Sequence, residues 1–151
     1  MFLSRSLLAV PFLALSLPAA AQTAPDSITL TQNGVTEVLT LVPLAEDTRT
    51  AWMDNRENTG TDSFSGGFLA TGESGAWWTV IDIYDGVATW ATVAPPSGDT
   101  LFEENPTITW TLNDDGTLSL SGATQPVPDG ATEPARVQLE FTVTLSPMPL
   151  E

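Results

Sequence analysis

Three short turn signals constrain this chain more than anything else in it. They are Asn33-Gly34, Asp85-Gly86 and the tetrad Asn113-Asp114-Asp115-Gly116. Asn-Gly and Asp-Gly suit a type I′ turn, in which both central residues need positive φ and the backbone twist matches that of the flanking strands. The tetrad suits a type I turn followed by a left-handed glycine, a common three-residue hairpin loop. Each turn fixes a register, and the residues around it test that register.

Around Asn33-Gly34, pairing Gln32 with Val35 sets Leu30 opposite Glu37 and Ile28 opposite Leu39. One face then carries Ile28, Leu30, Val35, Leu39 and Leu41, with Glu37 as its only charge. Around Asp85-Gly86, strict pairing sets Ile83 opposite Ala88, Asp82 opposite Thr89 and Ile81 opposite Trp90. Trp77, Thr79, Ile81, Ile83, Ala88, Trp90 and Thr92 then share the expected core face. Trp78, Val80, Asp82, Tyr84, Val87, Thr89, Ala91 and Val93 share the other. The third turn sets Leu112 opposite Leu118 and Trp110 opposite Leu120, with Thr107, Thr109, Thr111 and Ser119 on the outside. A final stretch, Ala135–Leu145, alternates without a break, as a half-buried strand does.

Two weaker strands are expected near Thr48–Met53 and Ser63–Ala70. No segment holds a helical apolar stripe for three turns, and Gly or Pro interrupts most windows of that length. The fold class is therefore all-β: about nine antiparallel strands in one domain over residues 22–151. The expected form is an up-and-down meander closed as a barrel, with a β-sandwich as the alternative. Closure is favoured because it removes the edges that long threonine-rich strands would expose. The segments Pro43–Asp62, Ala94–Pro106 and Gly122–Pro134 read as long surface loops.

Residues 1–21 read as a removable signal peptide. Arg5 precedes a short apolar run from Leu7 to Leu17, and Ala19 and Ala21 form an A-x-A cleavage site before Gln22. The run is too short to span a bilayer as a helix. The expected location is periplasmic or extracellular, with no membrane span.

Composition then removes function classes. There are 19 acidic residues against four arginines, with no lysine, histidine or cysteine, and a formal net charge of −15. Such a surface repels phosphate backbones, so no nucleic-acid partner is expected. Zinc sites on Cys or His, Ser–His triads, cysteine nucleophiles and lysine Schiff bases lack their residues. A carboxylate pair is the familiar catalytic scheme left. Nothing in the spacing of Asp82, Glu103, Glu104 and Glu140 brings two of them together, and the chain is read as non-catalytic. Asn113–Gly116 lacks the alternating acids of a calcium loop. Asp99, Glu103, Glu104 and Asn105 read as a solvated loop, so no metal or cofactor is expected. Arg49, Arg56 and Arg136 read as surface partners of nearby acids.

The tryptophans carry the functional expectation. Trp77 and Trp78 are adjacent in a strand and must point to opposite faces. With Trp77 inside, the second face of its hairpin is unusually apolar for an exposed strand pair. Contiguous apolar area on a soluble protein tends to mark a binding surface. The candidate site is Trp78, Asp82, Tyr84 and Thr89, aromatics around a central polar pair. It suits a glycan or a small apolar ligand bound by a non-catalytic exported module. The alternative is an envelope or interaction protein that meets another protein, or itself, through the same face. The competing expectation is that Ala94–Pro106 folds over this face and buries it.

Overall fold

The computed structural model describes residues 25–131 and 137–150. The expected signal peptide, its cleavage site before Gln22, and Arg136 lie outside the described residues. The strands are β1 (Ser27–Gln32), β2 (Val35–Leu41), β3 (Ala51–Asp54), β4 (Phe64–Gly72), β5 (Gly75–Tyr84) and β6 (Val87–Ala94). They continue with β7 (Leu101–Glu104), β8 (Thr107–Leu112), β9 (Leu118–Thr124), β10 (Val127–Pro128) and β11 (Val137–Leu145). A single helical turn, α1 (Arg56–Thr59), follows β3.

The turns form as their residues dictate. Asn33 and Gly34 have φ of 51° and 79°, and Asp85 and Gly86 have 50° and 77°. These are the positive values a type I′ hairpin requires. The first register is as read from the sequence, with Gln32 opposite Val35 and Ile28 opposite Leu39. So is the third, with Trp110 opposite Leu120 and Leu112 opposite Leu118. In β11, Val137, Leu139, Phe141, Val143 and Leu145 are all buried.

The strands form one antiparallel sheet in the order β10-β7-β6-β5-β4-β2-β1-β11-β9-β8, with β3 also on β4. β2 is the fold line. Its first part pairs with β1, while Thr40 and Leu41 pair with Thr71 and Ala70 of β4. The two halves of the sheet face each other across a single core. Phe68 meets Phe141 with ring centroids 5.0 Å apart, and Phe64 meets Trp110 at 5.0 Å. Gly66 lets the halves approach, because a Cβ there would lie 2.8 Å from Leu120 Cδ1 and 3.2 Å from Leu145 Cδ1.

The expected barrel is not found. β10 and β8, the two ends of the order, are not paired with each other, so the sheet is open and resembles the sandwich alternative. At one end the edge is blunted without closure. β10 has only two residues, Val127 and Pro128, and follows Pro126, so neither proline offers an N–H to a further strand. Large side chains from both halves fill the space between them, leaving no room for a lumen. The strand count also rises from nine to eleven. Leu101–Glu104 and Val127–Pro128, read as loop, extend the sheet beyond β6.

Glu37, the one charge on the inward side of the first hairpin, has a structural use. Its carboxylate accepts from the backbone N–H and the hydroxyl of Ser74. The Ser74 hydroxyl in turn accepts from the indole N–H of buried Trp77 at 2.8 Å. Glu37 thereby links the β4–β5 turn to the first hairpin and satisfies a core indole that would otherwise lack a partner.

Candidate functional site

The second hairpin starts in the expected register, with Tyr84 opposite Val87 and Ile83 opposite Ala88, and then departs from it. Thr89 is an extra residue on β6, so Asp82 faces Trp90 and Ile81 faces Ala91. This β-bulge reverses every later assignment on β6. Ala91 and Val93, expected outside, are fully buried. Trp90 and Thr92, expected in the core, turn to the outer face and are partly exposed. The core opposite Ile81 is tightly filled and takes the small Ala91 in place of an indole. Nearer the turn, Trp110 donates its indole N–H to Gly86 O at 2.8 Å and packs on Phe64.

The four candidate residues are placed as follows. Trp78 is half-buried on the outer face, between Leu69 of β4 and Ala94 of β6. Its indole nitrogen lies over Gly67, 3.5 Å from where a Cβ would stand, and is shielded from water with no acceptor among the described residues. Asp82 lies two rows further along the same face. Its Oδ1 accepts from Ser65 Oγ at 2.7 Å, and Ser65 Oγ accepts from Asn55 Nδ2 at 3.2 Å. Thr89 does not pair with Asp82 across the strands, but its hydroxyl donates to the Asp82 backbone carbonyl at 3.3 Å. Tyr84 is 55% exposed at the turn end and stands apart from the other aromatics.

Residues that the sequence reading left out of the site complete this face. Phe102 of β7 stands opposite Thr92, which stands opposite Val80. Its ring is 5.7 Å from that of Trp90, tilted by 38°. Glu104 stands opposite Trp90 on the far side from Asp82. The outer face of β5, β6 and β7 therefore presents Trp78, Val80, Trp90 and Phe102 as a strip, with Asp82 and Glu104 beside Trp90. Trp90 lies four residue pairs along the strands from Trp78, about 13 Å.

The expected cover is also placed differently. Ala94–Pro106 does not fold over the face but extends it sideways as β7, pinned by Asn105 N–H to Thr89 O at 2.9 Å. At the Trp78 end the face is shielded instead by the chain before β3. Thr50 Oγ1 accepts from Leu69 N–H at 3.0 Å, and Arg49 O lies 2.8 Å from a Cβ built on Gly67. Alternation placed the strip's residues in part, but nothing local marks Thr89 as the extra one. Val93 is the available signal, since a β-branched apolar residue at an outward position sits poorly in water.

Several of the other charged groups have local partners. Arg49 grips Asp47 with Nε to Oδ1 at 3.0 Å and Nη2 to Oδ2 at 2.8 Å. These bonds hold the Asp47 carboxyl down at about 2. Arg56 grips Asp54 in the same way and lies 5.2 Å above the Phe64 ring centroid. Asp115 accepts from the N–H and hydroxyl of Thr117, which lowers its pKa and fits the turn reading. Glu103 accepts from Thr124 Oγ1 at 2.5 Å and Gln125 N–H at 2.7 Å, tying β7 to the corner where β9 runs into β10. Among the described residues, no three acids gather in a group that could hold a metal ion. None of the described helices is long and apolar enough to cross a membrane. No protein family, curated protein or solved structure matches this chain.

Proposed function

We propose that this protein is an exported, non-catalytic binding module that takes a glycan on the outer face of β5, β6 and β7. The observation that carries this reading is the Trp90–Phe102 pair, two large rings in contact on the outside of a sheet whose core does not need them. Sugar rings present flat C–H faces that stack on aromatic side chains, and their hydroxyls donate to carboxylates. Trp78 and Val80 extend the stacking surface along β5, and Asp82 supplies an acceptor already oriented by Ser65. Export through a leader ending at Ala21 agrees with a chain that has no cysteine and almost no basic residues.

A screen of immobilised oligosaccharides against the full chain tests the reading. Binding that is lost in Trp90→Ala and weakened in Trp78→Ala, with both variants still melting cooperatively, supports it. Absence of binding, together with self-association by size exclusion and light scattering that Trp90→Ala disrupts, would transfer the face to the interaction-protein reading.

A further inference from the structure

We propose that the ligand of this face is positively charged: a glycan of free amino sugars, with an ammonium group seated on Trp90 between Asp82 and Glu104. The inference rests on the glycan reading and goes further by naming the sugar chemistry. Its basis is one row of the sheet, in which Ser65, Asp82, Trp90 and Glu104 follow one another across β4, β5, β6 and β7. Neighbouring strands are about 4.8 Å apart, so the two carboxylates flank the indole from strands about 10 Å apart. A cation over an indole face is attracted by the ring's quadrupole, and a carboxylate on each side adds to that attraction.

Among the described residues, no side-chain cation occupies this position: the chain has no lysine, and the two described arginines are each held by the aspartate two residues earlier. Asp82 is braced by Ser65 and Asn55, so its direction is set before a ligand arrives. The Thr89 bulge brings Trp90 to the outside and so creates the arrangement. Beyond the charged row, Val80 and Phe102 share the next outward row across Thr92, and Trp78 lies in the row after it. A lysine-rich peptide offers the same ammonium group but no flat rings to lie along them, which favours the sugar. The excess of acid elsewhere steers a polycation towards the molecule and repels uronate or sulfated glycans.

Calorimetric titration of the full chain at mildly acidic pH, where sugar amines are protonated, tests the proposal. The probes are a β-linked glucosamine oligomer, its fully N-acetylated counterpart and a lysine peptide of equal charge. The glucosamine oligomer should bind at least about tenfold more tightly than the acetylated one. Asp82→Asn with Glu104→Gln should erase that preference. Asp82→Asn keeps the acceptor for Ser65, and a melt of each variant checks its fold. Glu46→Gln with Glu73→Gln removes the same charge from exposed sites elsewhere and should leave the preference intact.

Equal binding of the two oligomers, with both lost in Trp90→Ala, would overturn the charged ligand and leave the glycan reading standing. A preference lost equally in the Glu46/Glu73 variant would overturn it as bulk charge attraction. Lysine peptide binding as tight as the glucosamine oligomer would overturn the sugar assignment. No binding of either oligomer would overturn this inference together with the glycan reading.

Discussion

Thr79 is fully buried in the core face of β5, and its hydroxyl finds no acceptor among the described residues. A buried hydroxyl without a partner loses its water and gains nothing in return. Thr79→Val keeps the shape and removes the polar atom, so it should raise stability by about 1 kcal/mol in a denaturant melt. Trp77 and Trp90 give the opposite contrast. Trp77→Ala should cost about 3–5 kcal/mol, because the residue is 2% exposed and its indole N–H belongs to the Ser74–Glu37 link. Trp90→Ala should cost clearly less and act on binding instead. Asp47 provides a test by titration. Arg49 depresses its pKa from 3.8 to about 2. A carboxyl depressed by folding contributes stability above its unfolded pKa and loses it as pH falls through the folded value. Carboxyl NMR should therefore show Asp47 still mostly ionised at a pH between these values, and Arg49→Gln should return its midpoint towards the ordinary range.

Among the elements, the β5–β6 hairpin separates what the sequence could show from what it could not. Its turn chemistry and first two residue pairs follow from Asp85-Gly86 and the alternation of Ile81 and Ile83. The bulge does not, because it answers tertiary packing: the core opposite Ile81 takes the small Ala91, fully buried, and not an indole. Hence alternation alone puts Trp78 and Asp82 on the outer face, where they lie, but puts Trp90 on the inner one. Phe102 and Glu104 sit in a Pro- and acid-rich stretch whose strand is induced by the open edge of β6, so no local pattern announces it. Deleting Thr89 removes the extra residue but keeps Ile83 opposite Ala88 and Asp82 opposite Trp90, so Trp90 should stay outside and Ala91 and Val93 inside. The variant should still melt cooperatively and keep ligand binding; loss of binding with an intact fold would show that the bulge itself, and not only the side of the sheet it selects, shapes the site. Gly67→Ala tests the other end of the strip. Its Cβ would meet Arg49 O at 2.8 Å, so the variant should lose about 1–3 kcal/mol and loosen the chain before β3 from Trp78. Limited proteolysis within residues 43–50 would report the loosening.

For the molecule as a whole, stability rests on the core between the two halves of the sheet. A chelator should therefore leave the melting temperature unchanged, and a drop of several degrees would point to an oxygen-ligand site instead. A chain ending at residue 131 should fail to fold cooperatively, since Ile28 and Leu30 would lose Phe141 and Leu139 beside them and Leu118 and Leu120 would lose Leu145 and Val143. That arrangement also sets an order of events. β11 comes late in the chain yet lies between β1 and β9, so Ser27 must find Thr142 after more than a hundred intervening residues have been made. Local hairpins close in about 1–10 μs, whereas pairings this distant in sequence are slow. Until β11 arrives, β1 and β9 each have a bare edge. The sheet is therefore sealed by nearly the last residues to be made, and a partly synthesised chain holds two strands with unpaired edges that could meet a second copy instead.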